Sequence, residues 1–353
     1  MTDRMQDRKI RIRTRGVRLS VLLALWGALS LVIVWAASIG PDSFGYVATD
    51  NTPYSFVNIS STGVAVLAGA DDDKAIVNVG FPFSFYGTPY SSVCVSTNGL
   101  LALGGCIVDF ANQDLTGSRP SGDLPVIAPL WFDLTFSAKG AGAIYYQTLG
   151  QPGDRRFVIQ WQNAYPLNGT EGITFQTILY ETTGKILFQY LDIDAGAGSP
   201  ASFGRGATVG IRDTNGQANG RRLQWSHRMP ALSNGLAIQF IPDAVGPVIT
   251  GMPAPGLELW PPDNKLVKVA TITASDAGTG LASLNVTATS NEPEGNDKDI
   301  FITGSGSQYV VELRAQREGS GKGRIYTITA TATDKAGNKS TVTSTVTVPH
   351  DKK

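Results

Sequence analysis

Histidine and cysteine are scarce in this sequence, which contains two of each among 353 residues. Because the histidines are His227 and His350 and no CxxC pair is present, we do not expect a zinc site of histidine and cysteine ligands. A hydrolase triad needs a histidine or another positioned base, and neither histidine has a nucleophile motif nearby. No local context singles out two carboxylates for glycoside hydrolysis. We therefore expect a protein that is not an enzyme and that requires no cofactor.

Charge is also low, at 16% of residues, and the 29 basic and 29 acidic side chains give no net charge. Part of the basic set lies in the first eighteen residues, so the remainder of the chain is mildly acidic. Nucleic-acid binding depends on a positive surface, and a nucleic-acid partner is therefore not expected. After residue 37 the sequence has no further apolar run long enough to span a bilayer.

Residues 1–38 have the organisation of an export signal. A basic segment, Met1–Arg18, precedes the uncharged apolar run Leu19–Ala37, and the small residues Ala36 to Ser38 offer a cleavage site. The run is also close to the roughly 20 residues that span a bilayer. The segment therefore predicts either a cleaved signal peptide or an uncleaved hydrophobic anchor helix. In both cases the rest of the chain is expected outside the cytoplasm, released or tethered at the cell surface, with membrane contact only through this segment.

The remainder of the sequence predicts strands and no sustained helix. Frequent glycine, threonine, serine and valine suit short strands joined by tight turns. Arg156–Gln162 alternates, with Phe157, Ile159 and Trp161 on one face, and a hairpin is predicted around Thr182–Lys185. Proline and glycine interrupt the pattern at 242–247. We therefore predict an all-β fold, with a large β-sandwich over residues 41–242 and an immunoglobulin-like β-sandwich over residues 247–349.

Seven segments of the first domain form a recognisable series. In chain order they are Gly80–Gly87, Val95–Leu100, Pro125–Leu134, Ile144–Tyr146, Arg156–Trp161, Phe175–Leu179 and Ala207–Ile211. Together they resemble the nidogen-like (NIDO) extracellular domain. The resemblance implies a domain of extracellular matrix and cell-surface proteins that is associated with adhesion and is not defined by catalytic residues.

A second series lies in the C-terminal part of the chain. Its members are Leu259–Lys265, Thr289–Pro293, Leu313–Arg317, Gly323–Thr329 and Ala332–Asn338. They resemble a bacterial immunoglobulin-like C-terminal module, without the Cys–Trp–Cys framework of antibody domains. The resemblance implies a bacterial source and a stalk or spacer in a secreted or surface protein.

The two cysteines, Cys94 and Cys106, flank a predicted hairpin with Asn98–Gly99 in its turn. Regular pairing around this turn places Cys94 opposite a residue near Leu103 rather than opposite Cys106. A disulfide, which an exported protein can keep, therefore requires the strand to bulge or curl at Gly104–Gly105. The alternative is two buried free thiols.

Acidic residues at strand ends of the second domain are candidate ligands for calcium, which prefers several oxygen ligands. Asp276, Glu292 and Asp334 occupy such positions and are predicted to converge at one pole of the domain, unless they are solvated turn acids. In the first domain, Asp133 either orients a turn by accepting backbone N–H groups or binds a ligand or cation. Trp131 and Trp225 complete the set of candidate ligand contacts.

These features together predict an exported bacterial protein of the cell surface or the extracellular space that adheres to or binds an extracellular protein or glycan. One alternative is a structural envelope or spacer protein without a specific ligand. Another is a carbohydrate-binding or carbohydrate-active protein, for which an exposed aromatic platform would be expected. Trp161, Trp225 and Trp260 are the candidates for such a platform.

Overall fold

The computed structural model describes residues 37–116, 123–138, 140–167, 169–214, 216–294 and 297–351. The predicted signal or anchor at residues 1–38 therefore lies outside the described residues except for its last two positions. Nearly all regular structure in the described part is β, which confirms the predicted fold class; the exceptions are a 3₁₀ turn at Ser202–Gly204 and the one-turn helix α1 at Gly216–Asn219. No described helix is long and apolar enough to cross a membrane.

Fifteen strands build the described part of the first domain. In chain order they are β1 (Ser38–Ile39), β2 (Val47–Thr49), β3 (Val64–Val66), β4 (Lys74–Phe85), β5 (Thr88–Ser96), β6 (Leu101–Ala102), β7 (Val126–Trp131), β8 (Leu134–Thr135), β9 (Ala143–Leu149), β10 (Arg156–Pro166), β11 (Ile173–Tyr180), β12 (Ile186–Asp192), β13 (Thr208–Arg212), β14 (Arg222–His227) and β15 (Ala237–Ile241). One sheet has the order β1-β2-β15-β12-β11-β10-β9-β3, with β8 paired to β10. The other has the order β14-β13-β7-β6-β5-β4.

The core of the first domain lies between these two sheets, and the period-two patterning explains it. In β4 every second side chain from Val77 to Phe85 is buried, while the intervening residues are exposed. On β10 the predicted inward face is confirmed, since Phe157, Ile159 and Trp161 all belong to the core. Trp161 also donates from Nε1 to the carbonyl oxygen of Ser96 on the other sheet, at 3.0 Å. The apolar alternation therefore determines which faces of the two sheets meet.

The second domain is a separate sandwich of two four-stranded sheets with its own core. Its described strands are β16 (Val248–Thr250), β17 (Leu257–Glu258), β18 (Leu266–Ser275), β19 (Leu281–Ser290), β20 (Ile300–Ser305), β21 (Gln308–Arg314), β22 (Gly323–Asp334) and β23 (Lys339–Pro349). The sheets have the orders β16-β18-β21-β20 and β17-β23-β22-β19. Between β15 and β16 the chain passes through the segment 242–247, which is rich in proline and glycine.

The cysteines form a disulfide, so the first of the two predicted alternatives is confirmed. Cys94 pairs in the sheet with Ala102, close to the position expected from the turn. The chain then bends over residues 103–105, where Gly104 has a φ of 71°. This bend brings the Cα atoms of Cys94 and Cys106 to 5.2 Å, as the prediction of a curled strand requires.

Candidate functional site

One of the predicted ligand contacts, Trp131, lies inside the first domain, and a second, Trp225, is only partly accessible at its surface. Trp131 is fully buried and donates from Nε1 to the carbonyl oxygen of Asp109 at 2.7 Å, so its ring stabilises a loop and cannot meet a ligand. Trp225 is half-buried and packs against the core. The prediction of a ligand contact at Trp131 is therefore corrected to a structural role, because the ring packs between strands instead of projecting from the loop.

Asp133 is half-buried beside other carboxylates. Its pKa is raised, first by burial and then by the negative charges of Asp72 and Asp71. Among the described residues it is Asn98, not Asp133, whose side chain orders this turn. Asn98 Oδ1 accepts from Leu134 N at 2.9 Å, and its Nδ2 donates to Asp72 Oδ1 at 2.8 Å. Sequence reasoning assigned Asn98 only to a hairpin turn and missed that its buried amide joins three loops.

The predicted convergence of Asp276, Glu292 and Asp334 is wrong for Glu292. Strand β19 is 10 residues long; it begins at Leu281, opposite Asp334, and ends at Ser290, opposite Tyr326. A strand of this length spans about 30 Å, so Glu292 lies at the other pole of the domain. There its carboxylate pairs with Arg324 Nε at 3.2 Å and accepts from the main-chain nitrogen of Glu318 at 2.8 Å.

The other two predicted ligands do lie together, and a third carboxylate joins them. One oxygen each of Asp243, Asp276 and Asp334 lies within 4.8 Å of the others, and we call this group the junction carboxylates. Asp276 follows β18 and Asp334 ends β22, so both sit at the pole of the second domain that faces the first. Asp243 comes from the segment between the domains. Sequence reasoning missed it because no strand pattern relates that segment to the second domain.

Hydrogen bonds hold the junction carboxylates in place. Asp243 Oδ2 accepts from the N and Oγ1 atoms of Thr279 at 2.8 and 3.0 Å, and Asp276 Oδ1 accepts from Gly280 N at 2.7 Å. Asp334 accepts from both the main-chain nitrogen and the side-chain amide of Asn338, each at 2.8 Å. These donors offset part of the mutual repulsion of three negative charges. Such a set of converging oxygens has the chemistry that calcium prefers.

A cleft of about 810 Å³ opens beside the junction carboxylates. We call it the junction cleft; its lining residues are Ser43, Phe44, Tyr86, Gly87, Thr88, Asn219 and Arg221 from the first domain and Ala282, Asp334, Lys335, Ala336 and Gly337 from the second. Asp334 thus belongs both to the cleft wall and to the junction carboxylates. A smaller cavity of about 210 Å³, also lined by Phe44, Gly87 and Ala336, includes Asp243.

The chemistry of the junction cleft combines aromatic rings with hydrogen-bonding groups. The Arg221 guanidinium lies 5.3 Å from the centre of the Phe44 ring and pairs with Asp213 at 3.2 Å. Tyr86 donates from its hydroxyl to Asp42 Oδ2 at 2.7 Å, and burial, followed by the charge of Asp42, raises the pKa of Tyr86 well above its usual range. Because Phe44 and Tyr86 are only 6% and 3% exposed, the groups that a ligand in the cleft meets are mainly polar, with Lys335 exposed and Arg221 half-buried. Such a lining suits a ligand rich in hydrogen-bonding groups, such as a peptide or a saccharide.

Comparison with known proteins identifies the first domain. No curated protein matches this chain. The family model described as "NIDO related" matches residues 45–245, which is more than half of the 353 residues and covers strands β2 to β15 of the first domain. The chain therefore belongs to the NIDO-related family.

Proposed function

We propose that this chain is an exported bacterial binding protein that adheres to an extracellular protein or glycan through the junction cleft, in a calcium-dependent manner. The observation that carries the proposal is the double role of Asp334, which lines the cleft and belongs to the junction carboxylates. The NIDO-related match supports a domain of extracellular type. The disulfide fits the oxidising conditions outside the cytoplasm. The proposed role is binding rather than catalysis.

The candidate calcium ligands come from parts of the chain that also border the junction cleft. Asp243 lies in the segment between the domains, whereas Asp276 follows β18 and Asp334 ends β22 of the second domain. A cation held by all three would fasten the segment to these loops and neutralise their charge. Asp334 and Lys335 also form the cleft wall that faces the first domain. Binding of the cation would therefore order this wall as well. Ligand affinity should therefore depend on calcium.

The test uses arrays of extracellular matrix proteins and glycans, probed with the full chain in calcium and in chelator. The proposal expects at least one ligand that is retained in calcium and lost in chelator. Lys335→Glu should weaken that binding, since Lys335 lines the cleft and is exposed. Lys322→Glu is the matched control, because Lys322 is exposed next to Gly323 at the opposite pole. If no ligand binds on any array, the result would favour a spacer protein without a specific ligand. If the Lys335→Glu and Lys322→Glu variants bind equally well, the junction cleft would be excluded as the binding site.

Glycan binding at the second domain is a second candidate, favoured by the exposure of one tryptophan. Trp161 is buried, whereas Trp260 is 41% exposed and lines a groove with Leu266 and Val267. The ion pair of Asp263 and Lys265, at 2.7 Å, lies in the same groove. An aromatic face beside charged hydrogen-bonding groups suits a sugar. Trp260→Ala should then abolish glycan signals on the array while leaving protein ligands of the junction cleft unaffected; glycan signals that survive this change would exclude the groove.

A further inference from the structure

Three glutamines form a buried row on the face of the larger first-domain sheet that points away from the core. Gln160 on β10 is paired with Gln176 on β11, which is paired with Gln189 on β12. Each is 0% exposed, although polar side chains on this face alternate with core residues and would be expected to meet water. The segment 51–60, which we call the strap, covers them.

The glutamine row binds the main chain of the strap at every second residue. Gln189 accepts from Ser55 N at 2.6 Å and donates to Ser55 O at 2.9 Å. With its amide oriented as its partners require, Gln176 accepts from Val57 N at 3.0 Å and donates to Val57 O at 2.9 Å. Gln160 Oε1 accepts from Ile59 N at 2.8 Å. A residue spacing of two is that of an extended chain, so the row recognises an extended backbone.

Side chains of the strap are held by an apolar cluster and by one hydrogen bond from the glutamine row. Ile59 is buried in a cluster with Val158, Ile178 and Leu187, and Val57 packs against the same cluster. The side chain of Ser55 is exposed, whereas Asn58 accepts through Oδ1 from Gln160 Nε2 at 3.1 Å. The sheet face thus requires an extended chain with apolar residues at two alternate positions and favours a hydrogen-bond acceptor such as asparagine between them.

The strap is long enough to leave this face without disturbing the strands at its ends. It connects β2 to β3, which are separated by six strand-to-strand steps in the sheet. Six steps correspond to about 29 Å. The 14 residues from 50 to 63 reach about 46–50 Å when extended. The connection therefore has slack, and the strap can lift while β2 and β3 stay paired.

We infer that the glutamine row is a peptide-binding site that the strap occupies within the same chain, and that an extended segment of a partner protein binds there when the strap lifts. Main-chain recognition supplies affinity for the extended form, and the pockets for the residues equivalent to Val57 and Ile59 supply selectivity. While the strap occupies the glutamine row, it competes with the partner segment and weakens the binding of that segment. This site lies on the outer face of the larger sheet and shares no lining residue with the junction cleft.

The test measures binding of a fluorescent peptide of residues 51–61 to the full chain. The variant Val57→Pro with Ile59→Gly loses one N–H donor and the apolar anchor of its own strap. It should bind the peptide saturably, and the unchanged chain should bind at least about tenfold more weakly because its tethered strap competes at high effective concentration. A control peptide with proline at positions 55 and 57 should not bind, because it lacks the N–H groups that Gln189 and Gln176 accept. Adding Gln176→Leu to the variant should also remove binding.

Equal binding of both peptides, or no binding to a folded variant, overturns the inference. If the variant fails to fold, hydrogen exchange on the unchanged chain tests whether the strap opens locally. The amides of Ser55, Val57 and Ile59 should then exchange through local opening, at least about tenfold faster than hydrogen-bonded amides of β11. Equal protection of the strap and β11 would mean that the strap leaves only on global unfolding, and would also overturn the inference.

Discussion

Replacing Arg324 with leucine should strongly destabilise the second domain. The Arg324 guanidinium donates to the Asp299 carboxylate, to Glu292 Oε2 at 3.2 Å and to the carbonyl oxygen of Pro293 at 2.9 Å. Arg324 and Asp299 are 2% and 0% exposed, so solvent cannot take over these bonds. The same network holds Glu292 at the far pole of the domain, away from Asp276 and Asp334.

The size of the effect follows from the charge left behind. Removing one partner of a buried ion pair costs about 3–5 kcal/mol, because the remaining charge stays buried without compensation. Arg314 Nε remains 3.4 Å from Asp299 Oδ1 and offsets part of the loss, so we expect about 3 kcal/mol. For a domain of about 100 residues this corresponds to a fall in melting temperature of roughly 12–24 °C.

Thermal and urea unfolding followed by circular dichroism measure this change. The exposed neighbour Lys322 provides the control, since Lys322→Leu should alter the free energy of unfolding by less than about 0.5 kcal/mol. Replacing Arg324, Asp299 and Glu292 together by leucine should recover much of the loss, because the three buried charges are then gone and Arg314 keeps its hydrogen bonds to the carbonyl oxygens of Asn264 and Lys298. A cost below about 1 kcal/mol for Arg324→Leu, or a triple variant less stable than the single one, would refute the reasoning.

Three further predictions concern the first domain. Replacing Cys94 and Cys106 by serine should lower its stability by about 2–3 kcal/mol, as for a short disulfide loop, and reductant should then have no further effect on the denaturation midpoint. Hydrogen bonds from Arg155 lower the pKa of Glu181 to about 2. The Arg155–Glu181 pair therefore stabilises the folded state above the unfolded pKa of about 4.3, and this stabilisation is lost as the pH falls towards 2. Glu181→Gln should make the free energy of unfolding less dependent on pH between about 4 and 2, and an unchanged pH dependence would contradict this. Asn98→Ala should cost about 2–3 kcal/mol in urea unfolding, since it leaves buried main-chain groups unpaired, and a loss under about 0.5 kcal/mol would speak against its linking role.

Most of the fold could be predicted from local sequence patterns. Alternation in Arg156–Gln162 correctly assigned the inward face of β10, because one face of each sheet must meet the core. The Asn98–Gly99 turn likewise allowed the register near Cys94 to be predicted to within one residue. Such signals lie within a few residues of one another, and in a β-sheet they directly determine which way a side chain faces and which residues pair.

The candidate site was only partly predictable because it depends on which strand ends meet. Asp276 and Asp334 were recognised as strand-end acids, but the length of β19 separates Glu292 from them. Asp243 was missed because its proximity depends on how the segment between the domains packs. Similarly, alternation placed Gln160 on the outer face of β10 but gave no sign that a distant segment crosses and buries that face.

Calcium uptake by the full chain tests the central claim most directly. Calorimetric titration should detect one calcium ion per chain, and saturation at about 100 times the dissociation constant should stabilise the folded chain by about 2.7 kcal/mol. Asp243→Asn combined with Asp334→Asn should abolish both the uptake and the rise in melting temperature, whereas Glu292→Gln should still take up calcium. An unchanged melting temperature in calcium, or equal uptake by the double variant, would contradict a calcium-dependent junction.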